Sequence, residues 1–538
     1  VSLGVVAGHA ARRFGIALLL LVTLISQSAG LQVAFAQDVT AIEPYPASAI
    51  TPEFRPTKCL YTRDEIPDSM RDVDLSCGWV TVPQDHNDPE DEDTIDLYVV
   101  IIPSTGRHPS DTPLFMLSGG PGQGATSMLW SFDADYGQGL IASWSDFLVD
   151  HDIVLFDQRG TGNTLPKLEC PVDREPTGEE PDDNATRSTF ETCAQELADE
   201  GIDLNTYNNR QSTADIDAVR QAIGAERVDL VGTSYGTWLA LETMRYQPEI
   251  VRSAVLSSPD IPQGQFFDTI MIGHQDALNA TFAACAADPD CDAQYPDLAE
   301  KYVDAVDLLN EDPMLLTFEN PLTGKTDRAR ADGSVFANLI YQLVFFNVTI
   351  ATIPPLITSV ANGESDVFSA LVPELISSSE GMSIPMHYSV LCQDEMPYVD
   401  IDTVMAEVEA ANVSEEVIAA EKGSINSYFA ICKAWDLTPS GEISNEPVVS
   451  DIPTLIITGR FDPITPTSNG EALLDTLTNA VLVESPVASH SPLQLSGQCG
   501  IDIATSFLEH PRKTVDASCL NELELDMSPE RETSATGS

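Results

Sequence analysis

Short continuous apolar runs recur along the first half of the chain and again near its end, at residues 113–117, 151–156, 228–231, 254–256, 453–458 and 480–483. Runs of this length without alternation predict strands of a parallel sheet covered on both faces. Two earlier segments, residues 79–82 and 95–102, read as strands of another kind. In the second, Ile95, Leu97, Val99 and Ile101 alternate with other residues, as a half-buried antiparallel strand requires. The Pro-rich residues 44–56 before them read as an extended arm over the surface. Residues 212–223 predict a helix, with Ser212 and Asp215 as a variant capping box, Ile216, Val219 and Ile223 on one face, and Gly224 as the stop.

Strands alternating with helices imply an α/β domain. From about residue 262 to 446 the strand rhythm stops, and residues 277–287, 298–309, 334–347 and 404–411 read as helices between Pro- and Gly-bearing loops. Because strands resume at 453, this stretch is an insertion in one domain. The expected organisation is a core over 37–261, a helical cap over 262–446, the core resumed over 447–522, and a disordered tail over 523–538 that is first acidic and then Ser/Thr-rich.

Charge and cysteine narrow the setting. Lys and Arg number 26 against 84 Asp and Glu, a net charge of −58, which argues against nucleic acid or an anionic membrane as partner. An acidic surface keeps a protein dissolved in a salty medium, and its field draws in cationic substrates. Arg12 and Arg13 precede the apolar residues 14–25, and Ala34-Phe35-Ala36 supplies a small-x-small cleavage site. Residues 1–36 therefore read as a signal peptide, with no stable membrane insertion after its removal and a secreted or periplasmic product. The 10 cysteines fit an oxidising compartment. Nearest-neighbour pairing joins Cys59 to Cys77, Cys170 to Cys193, Cys285 to Cys291, Cys392 to Cys432 and Cys499 to Cys519, although spacing alone leaves connectivity open. Neither C-x-x-C nor H-E-x-x-H occurs, so no metal and no cofactor is expected.

The chemistry is carried by Gly232-Thr233-Ser234-Tyr235-Gly236, which follows one apolar run and precedes a helix pattern. Such a strand-turn-helix holds the serine backbone in a strained conformation beside a helix start, with the hydroxyl at the tip of a sheet. Ser234 is the expected nucleophile. A serine of this kind needs a base and an orienting carboxylate, which in one common chain order follow it as acid and then histidine. His490 and His510 both come late enough. His510 ends an expected helix beside Pro511, where it complements the helix C-terminus, whereas His490 sits in a loop directly after a strand and is preferred. Asp462, in the loop after residues 455–458, is the expected acid. Gly119-Gly120-Pro121-Gly122 leaves backbone N–H groups unobstructed, so Gly120 together with Tyr235 is the expected oxyanion hole.

Gly-Gly-Pro-Gly after a strand, Asp157-Gln158-Arg159-Gly160 after the next, Gly-x-Ser-Tyr-Gly, Asp462-Pro463-Ile464-Thr465-Pro466, and His490 followed by Cys499, a helix and Cys519 together resemble the prolyl and tripeptidyl aminopeptidase family of α/β-hydrolases. The resemblance runs from about Cys77 to Leu520. It implies an α/β-hydrolase fold, a mostly parallel sheet with a helical cap inserted between strands, and a triad of Ser234, Asp462 and His490. Ser118 stands where the family often has His, and Ser489 where Gly commonly precedes the catalytic His. The function expected is a serine aminopeptidase acting on peptides with a free N-terminus. An exported carboxylesterase or amidase with the same triad is the alternative, and a binding protein on an inactive hydrolase scaffold a third. An aminopeptidase needs carboxylates for the substrate ammonium, and Asp394 and Glu395, beside Cys392 in the insertion, are the candidates.

Overall fold

The structure, a computed structural model, describes residues 45–527 except 47, 49, 62–65, 67–69, 72, 89, 91, 133–142, 171–182, 321–323, 346 and 378–380. The expected signal peptide and the tail from residue 528 lie outside the described residues.

Apolar residues that alternate along each strand divide between two separate clusters, one on each side of a single sheet. Val100, Met116, Leu155, Val231 and Leu455 join one cluster with the helix Gln498–Glu509, while Val99, Phe115, Val154, Leu230 and Ile456 join the other with the helices Asn209–Ala222 and Tyr235–Tyr246. Both faces are covered, which is why these strands read as continuous apolar runs.

The strands in chain order are β1 (Phe54–Thr57), β2 (Ser76–Pro83), β3 (Thr94–Ile102), β4 (Leu114–Leu117), β5 (Ile153–Phe156), β6 (Val228–Ser234), β7 (Val251–Pro259), β8 (Met314–Asn320), β9 (Lys325–Ala331), β10 (Thr454–Gly459) and β11 (Ala480–Ser485). Nine of them form one sheet in the order β1-β2-β3-β5-β4-β6-β7-β10-β11. The β1-β2-β3-β5 end is antiparallel, and every pairing from β5 through β4, β6, β7 and β10 to β11 is parallel. The fold is the expected mostly parallel α/β-hydrolase sheet. β3 is antiparallel as its alternation required, but Tyr98 and Val100 are as fully buried as Leu97 and Val99, so it is covered on both faces rather than half-buried. The last residues of the Pro-rich arm pair as β1 on the sheet edge, with Phe54 opposite Val80.

Between β7 and β10 the chain builds a cap of helices, among them Phe266–Ala287, Leu298–Glu311, Gly333–Phe345, Ile384–Asp394, Ile401–Ala410 and Glu415–Trp435. It also contains an unexpected antiparallel hairpin, β8 with β9. Leu316 and Phe318 are buried there, and the charged strand Lys325–Ala331 has no apolar alternation of its own; pairing with β8 makes it a strand. Two further expectations are corrected. Asn208, not Ser212, caps the helix Asn209–Ala222 by accepting from Gln211 N at 3.0 Å, which leaves Asp215 inside the helix for another use. Met527 is buried in the core and Leu525 packs beside it, so the chain is held down for several residues past 523.

All five cysteine pairs bridge as nearest neighbours. Cys392–Cys432 ties the cap helices Ile384–Asp394 and Glu415–Trp435 together.

The crossing of strand and helix at Ser234 depends on close backbone approach. A Cβ on Gly236 would lie 2.2 Å from the Leu117 carbonyl oxygen, and one on Gly232 would lie 2.4 Å from the Gly236 carbonyl oxygen. Gly423, on the open surface of Glu415–Trp435, meets nothing within 4 Å. Gly236→Ala is therefore expected to lower unfolding free energy by about 1–3 kcal/mol, and Gly423→Ala to raise it by about 0.5–1 kcal/mol. Urea denaturation midpoints test this, and equal effects at the two positions would refute the close-approach account.

Candidate active site

Parallel strands end on the same side, and the loops after β4, β6, β7, β10 and β11 meet there, where an open α/β sheet binds its ligands. A cavity of about 590 Å³ lies between these loops and the cap, bordered by Gly119, Gly120, Ser234, Asp260, Glu395 and His490.

Ser234 closes β6 and caps the helix Tyr235–Tyr246 with φ 56° and ψ −132°, a conformation that L-residues rarely hold. The neighbouring glycines make room for it. Tyr235 is the first residue of that helix, so its N–H has no intrahelical acceptor and sits at the positive end of the helix dipole. The glycine loop after β4 lies against the serine, since a Cβ on Gly119 would come 3.1 Å from Ser234 Cβ. Gly120 has φ 117° and a cis bond to Pro121. Ser118, in place of the family's histidine, donates its hydroxyl to Gln123 O at 2.6 Å and closes the base of this loop.

Asp157-Gln158-Arg159-Gly160 fastens the same region. Asp157 accepts from Thr126 N and Thr126 Oγ1, both at 2.8 Å, while Gln158 Nε2 reaches Ser118 O at 3.4 Å. Arg159 is fully buried and forms a bidentate pair with Asp215, 2.8 Å for each contact. Burial would raise the Asp215 carboxyl, but the Arg159 charge outweighs it and holds the group below its ordinary value. The motif is thus a brace for the glycine loop and the helix Asn209–Ala222.

The loop after β11 brings His490 Nδ1 within 3.0 and 3.1 Å of the two Asp462 oxygens, and its ring stacks on Phe345 at 4.7 Å between centroids. Asp462 is buried and also accepts from Ser258 Oγ at 2.7 Å, Ile464 N at 3.0 Å, Thr465 N at 2.9 Å and Thr465 Oγ1 at 2.8 Å. Burial alone would raise this carboxyl; His490 and the donors together keep it below its usual range. A carboxylate so placed fixes the imidazole with Nδ1–H toward it and leaves Nε2 to face the cavity. Ser489 anchors the loop, its hydroxyl lying 2.6 Å from Val344 O and 2.9 Å from Phe461 O, either of which can accept its one hydrogen. His510 is exposed at the end of the helix Gln498–Glu509, away from this pair. Sequence reading missed Ser258 and Thr465, although Thr465 lies within Asp-Pro-Ile-Thr-Pro.

The structure separates Asp394 from Glu395. Asp394 Oδ2 accepts from Asn209 N at 2.8 Å and docks the cap on the N-terminus of the helix Asn209–Ala222, and it is not among the residues that border the cavity. Glu395 borders the cavity, with Oε1 accepting from Phe266 N at 3.0 Å. Asp260, which sequence reading overlooked, borders it too. Burial pushes the Asp260 carboxyl up to about 6 against the lowering pull of His490. Burial, and then the proximity of Asp260, push Glu395 well above the ordinary carboxylate range. Among the described residues bordering the cavity there is no Lys or Arg to offset this pair.

Residues 112–303 match the alpha/beta hydrolase fold family, and residues 418–519 match the TAP-like protein family. The serine protease Hip1 of Mycobacterium tuberculosis (strain ATCC 25618 / H37Rv) is 24% identical over 455 residues, covering 80% of this chain and 84% of that protein. Tripeptidyl aminopeptidase of Streptomyces lividans is 29% identical over 194 residues, 34% of this chain and 35% of that protein. Carboxylesterase B of Mycobacterium tuberculosis (strain CDC 1551 / Oshkosh) is 28% identical over 243 residues, 43% of this chain and 45% of that protein. The sheet, the cap and these matches together show an alpha/beta hydrolase fold followed by a TAP-like C-terminal region, similar to serine peptidases built on the same plan.

Proposed function

We propose that this serine hydrolase is a secreted or periplasmic aminopeptidase that releases single residues or short peptides from free N-termini through an acyl-enzyme. Ser234 Oγ attacks the carbonyl carbon while His490 Nε2 takes its proton, and Asp462 stabilises the imidazolium through Nδ1–H. The N–H groups of Gly120 and Tyr235 receive the developing oxyanion. His490 then protonates the leaving amine, and water repeats the sequence on the acyl-enzyme. The disulfides support an oxidising compartment.

The observation that carries the exopeptidase reading is the unbalanced pair Asp260 and Glu395 in the cavity that also holds Ser234 and His490. Two carboxylates pushed upward with no Lys or Arg among the described residues lining the cavity form an environment that a protonated α-amino group relieves, because its charge favours both carboxylates over their acids. Tripeptidyl aminopeptidase and the protease Hip1 among the relatives support the same class of substrate.

The triad is tested with short-chain esters and aminoacyl arylamides. Ser234→Ala should abolish turnover, His490→Ala should lower kcat by about 10⁴-fold or more, and His510→Ala should leave it unchanged. A Ser234→Ala enzyme with native turnover refutes the assignment, and a loss at His510 instead of His490 moves the base.

The amine pocket is tested by the ratio of kcat/KM for a free-amine peptide to that for a short-chain ester, in which the shared triad cancels. Asp260 is protonated below about 6, and an ammonium ligand favours its carboxylate form. The ratio should therefore rise as pH increases through about 6, and Asp260→Asn should flatten that rise and lower the ratio by about tenfold to a hundredfold. N-acetylated peptides should be poor substrates. Equal cleavage of acetylated and free peptides would instead favour the carboxylesterase or amidase reading, which the match to Carboxylesterase B represents.

A further inference from the structure

The glycine loop beside Ser234 is held from two sides. From the core, Ser118 Oγ donates to Gln123 O at 2.6 Å and Gln123 N donates to Gly119 O at 3.3 Å. From the cap come three contacts to the next residues of the same loop. Ser383 N donates to Gly122 O at 2.9 Å, Gln123 and Met382 form an isolated antiparallel bridge, and His387 Nδ1 lies 3.2 Å from Pro121 O. The third is a side-chain contact, made from the helix Ile384–Asp394 to the residue directly after Gly120.

Its protonation is fixed by its partners. Pro121 O can only accept, so Nδ1 carries the hydrogen, and His387 Nε2 then accepts from the Tyr428 hydroxyl at 3.2 Å. Tyr428 belongs to the helix Glu415–Trp435, which the Cys392–Cys432 bridge ties to the helix of His387. Burial pushes the His387 imidazole down to about 4, so this neutral tautomer persists near neutral pH. A neutral histidine with both nitrogens engaged, bordering the reaction cavity without any part in the triad, has no use in the mechanism above.

The geometry points to His387 as a positioning residue: through Pro121 O it locks the loop that presents the Gly120 N–H, so the oxyanion-binding shape depends on the seated cap. This rests on the reading of Ser234 and Gly120 given above and extends it. The contact holds the Pro121–Gly122 peptide plane, two planes along the same loop from the one that carries the Gly120 N–H, so its loss loosens the loop and misplaces a donor that matters only once the carbonyl oxygen becomes tetrahedral. Ground-state binding at Asp260 and Glu395 is untouched.

The test uses the full chain carrying His387→Leu, His387→Asn or Tyr428→Phe, with kcat measured on a short-chain ester. Affinity for a peptide boronic acid, whose adduct with serine mimics the oxyanion, is compared with affinity for a non-covalent free-amine product peptide. For His387→Leu we expect kcat and boronate affinity to fall together by about tenfold to a hundredfold, with product affinity and melting temperature unchanged. His387→Asn, whose amide N–H replaces Nδ1–H, should recover most of the loss, and Tyr428→Phe should show a smaller parallel loss. Native kcat in His387→Leu, equal losses in boronate and product affinity, or no recovery in His387→Asn would each overturn the proposal. If His387→Leu does not fold, Tyr428→Phe decides, and native kcat and boronate affinity there overturn it. Turnover in Ser234→Ala would instead bring down the triad reading itself, which keeps the two failures apart.

Discussion

The distance between two pieces of backbone governs this site. Where β6 turns into the helix Tyr235–Tyr246, the Gly236 Cα sits so close to Leu117 O that no side chain fits between them. That contact brings the end of β4 against the end of β6, and with it the glycine loop against Ser234. Every other feature of the site is arranged around that crossing. The serine takes a strained φ of 56° because its flanking elements leave no alternative, and strain of this size persists only where surrounding packing over-determines it. Asp157, Gln158 and Arg159 add that determination from the β5 side, and Asp215 completes it by spending a carboxylate inside a helix on a fully buried guanidinium.

Electrostatics divides the cavity into two regions with opposite treatment of carboxylates. Asp462 is surrounded by donors and by His490, so its charge is stabilised in spite of burial. Asp260 and Glu395 border the same cavity with burial raising both, the charge of Asp260 adding to the rise at Glu395, and no Lys or Arg among the described lining. The first environment suits a permanent anion beside an imidazole; the second, on the proposed reading, is relieved by a cation from outside. An overall charge of −58 adds a field of the same sign that concentrates cationic ligands near the protein. The cap supplies Glu395 and encloses the space, so substrate selection and the loop beside the serine share one structural element.

The chain by itself determined the sheet and the order of the reactive groups. Runs such as residues 228–231 and 453–458 are apolar at every position because both sheet faces are covered, and that pattern is local. Ser234, Asp462 and His490 were legible as a candidate triad because a glycine-flanked serine, a post-strand loop Asp and a loop histidine in that order each leave a mark within a few residues. His510 was separable from His490 for the same reason, since a helix end beside Pro511 is visible in the sequence.

Tertiary structure decided what depends on contacts between distant segments. The charged strand Lys325–Ala331 has no strand signal of its own and exists through pairing with β8. Asp394 and Glu395 are adjacent in sequence yet point to different places: one docks on Asn209 N and the other borders the cavity beside Asp260, 135 residues earlier in the chain. Among 84 acidic residues, nothing local separates a carboxylate that faces solvent from one that is buried without a cation, because burial is a property of the packed cap and core. His387 was silent for the same physical reason. Its meaning comes from Pro121 O and the Tyr428 hydroxyl, 266 and 41 residues away, which meet it only when the cap is folded onto the sheet.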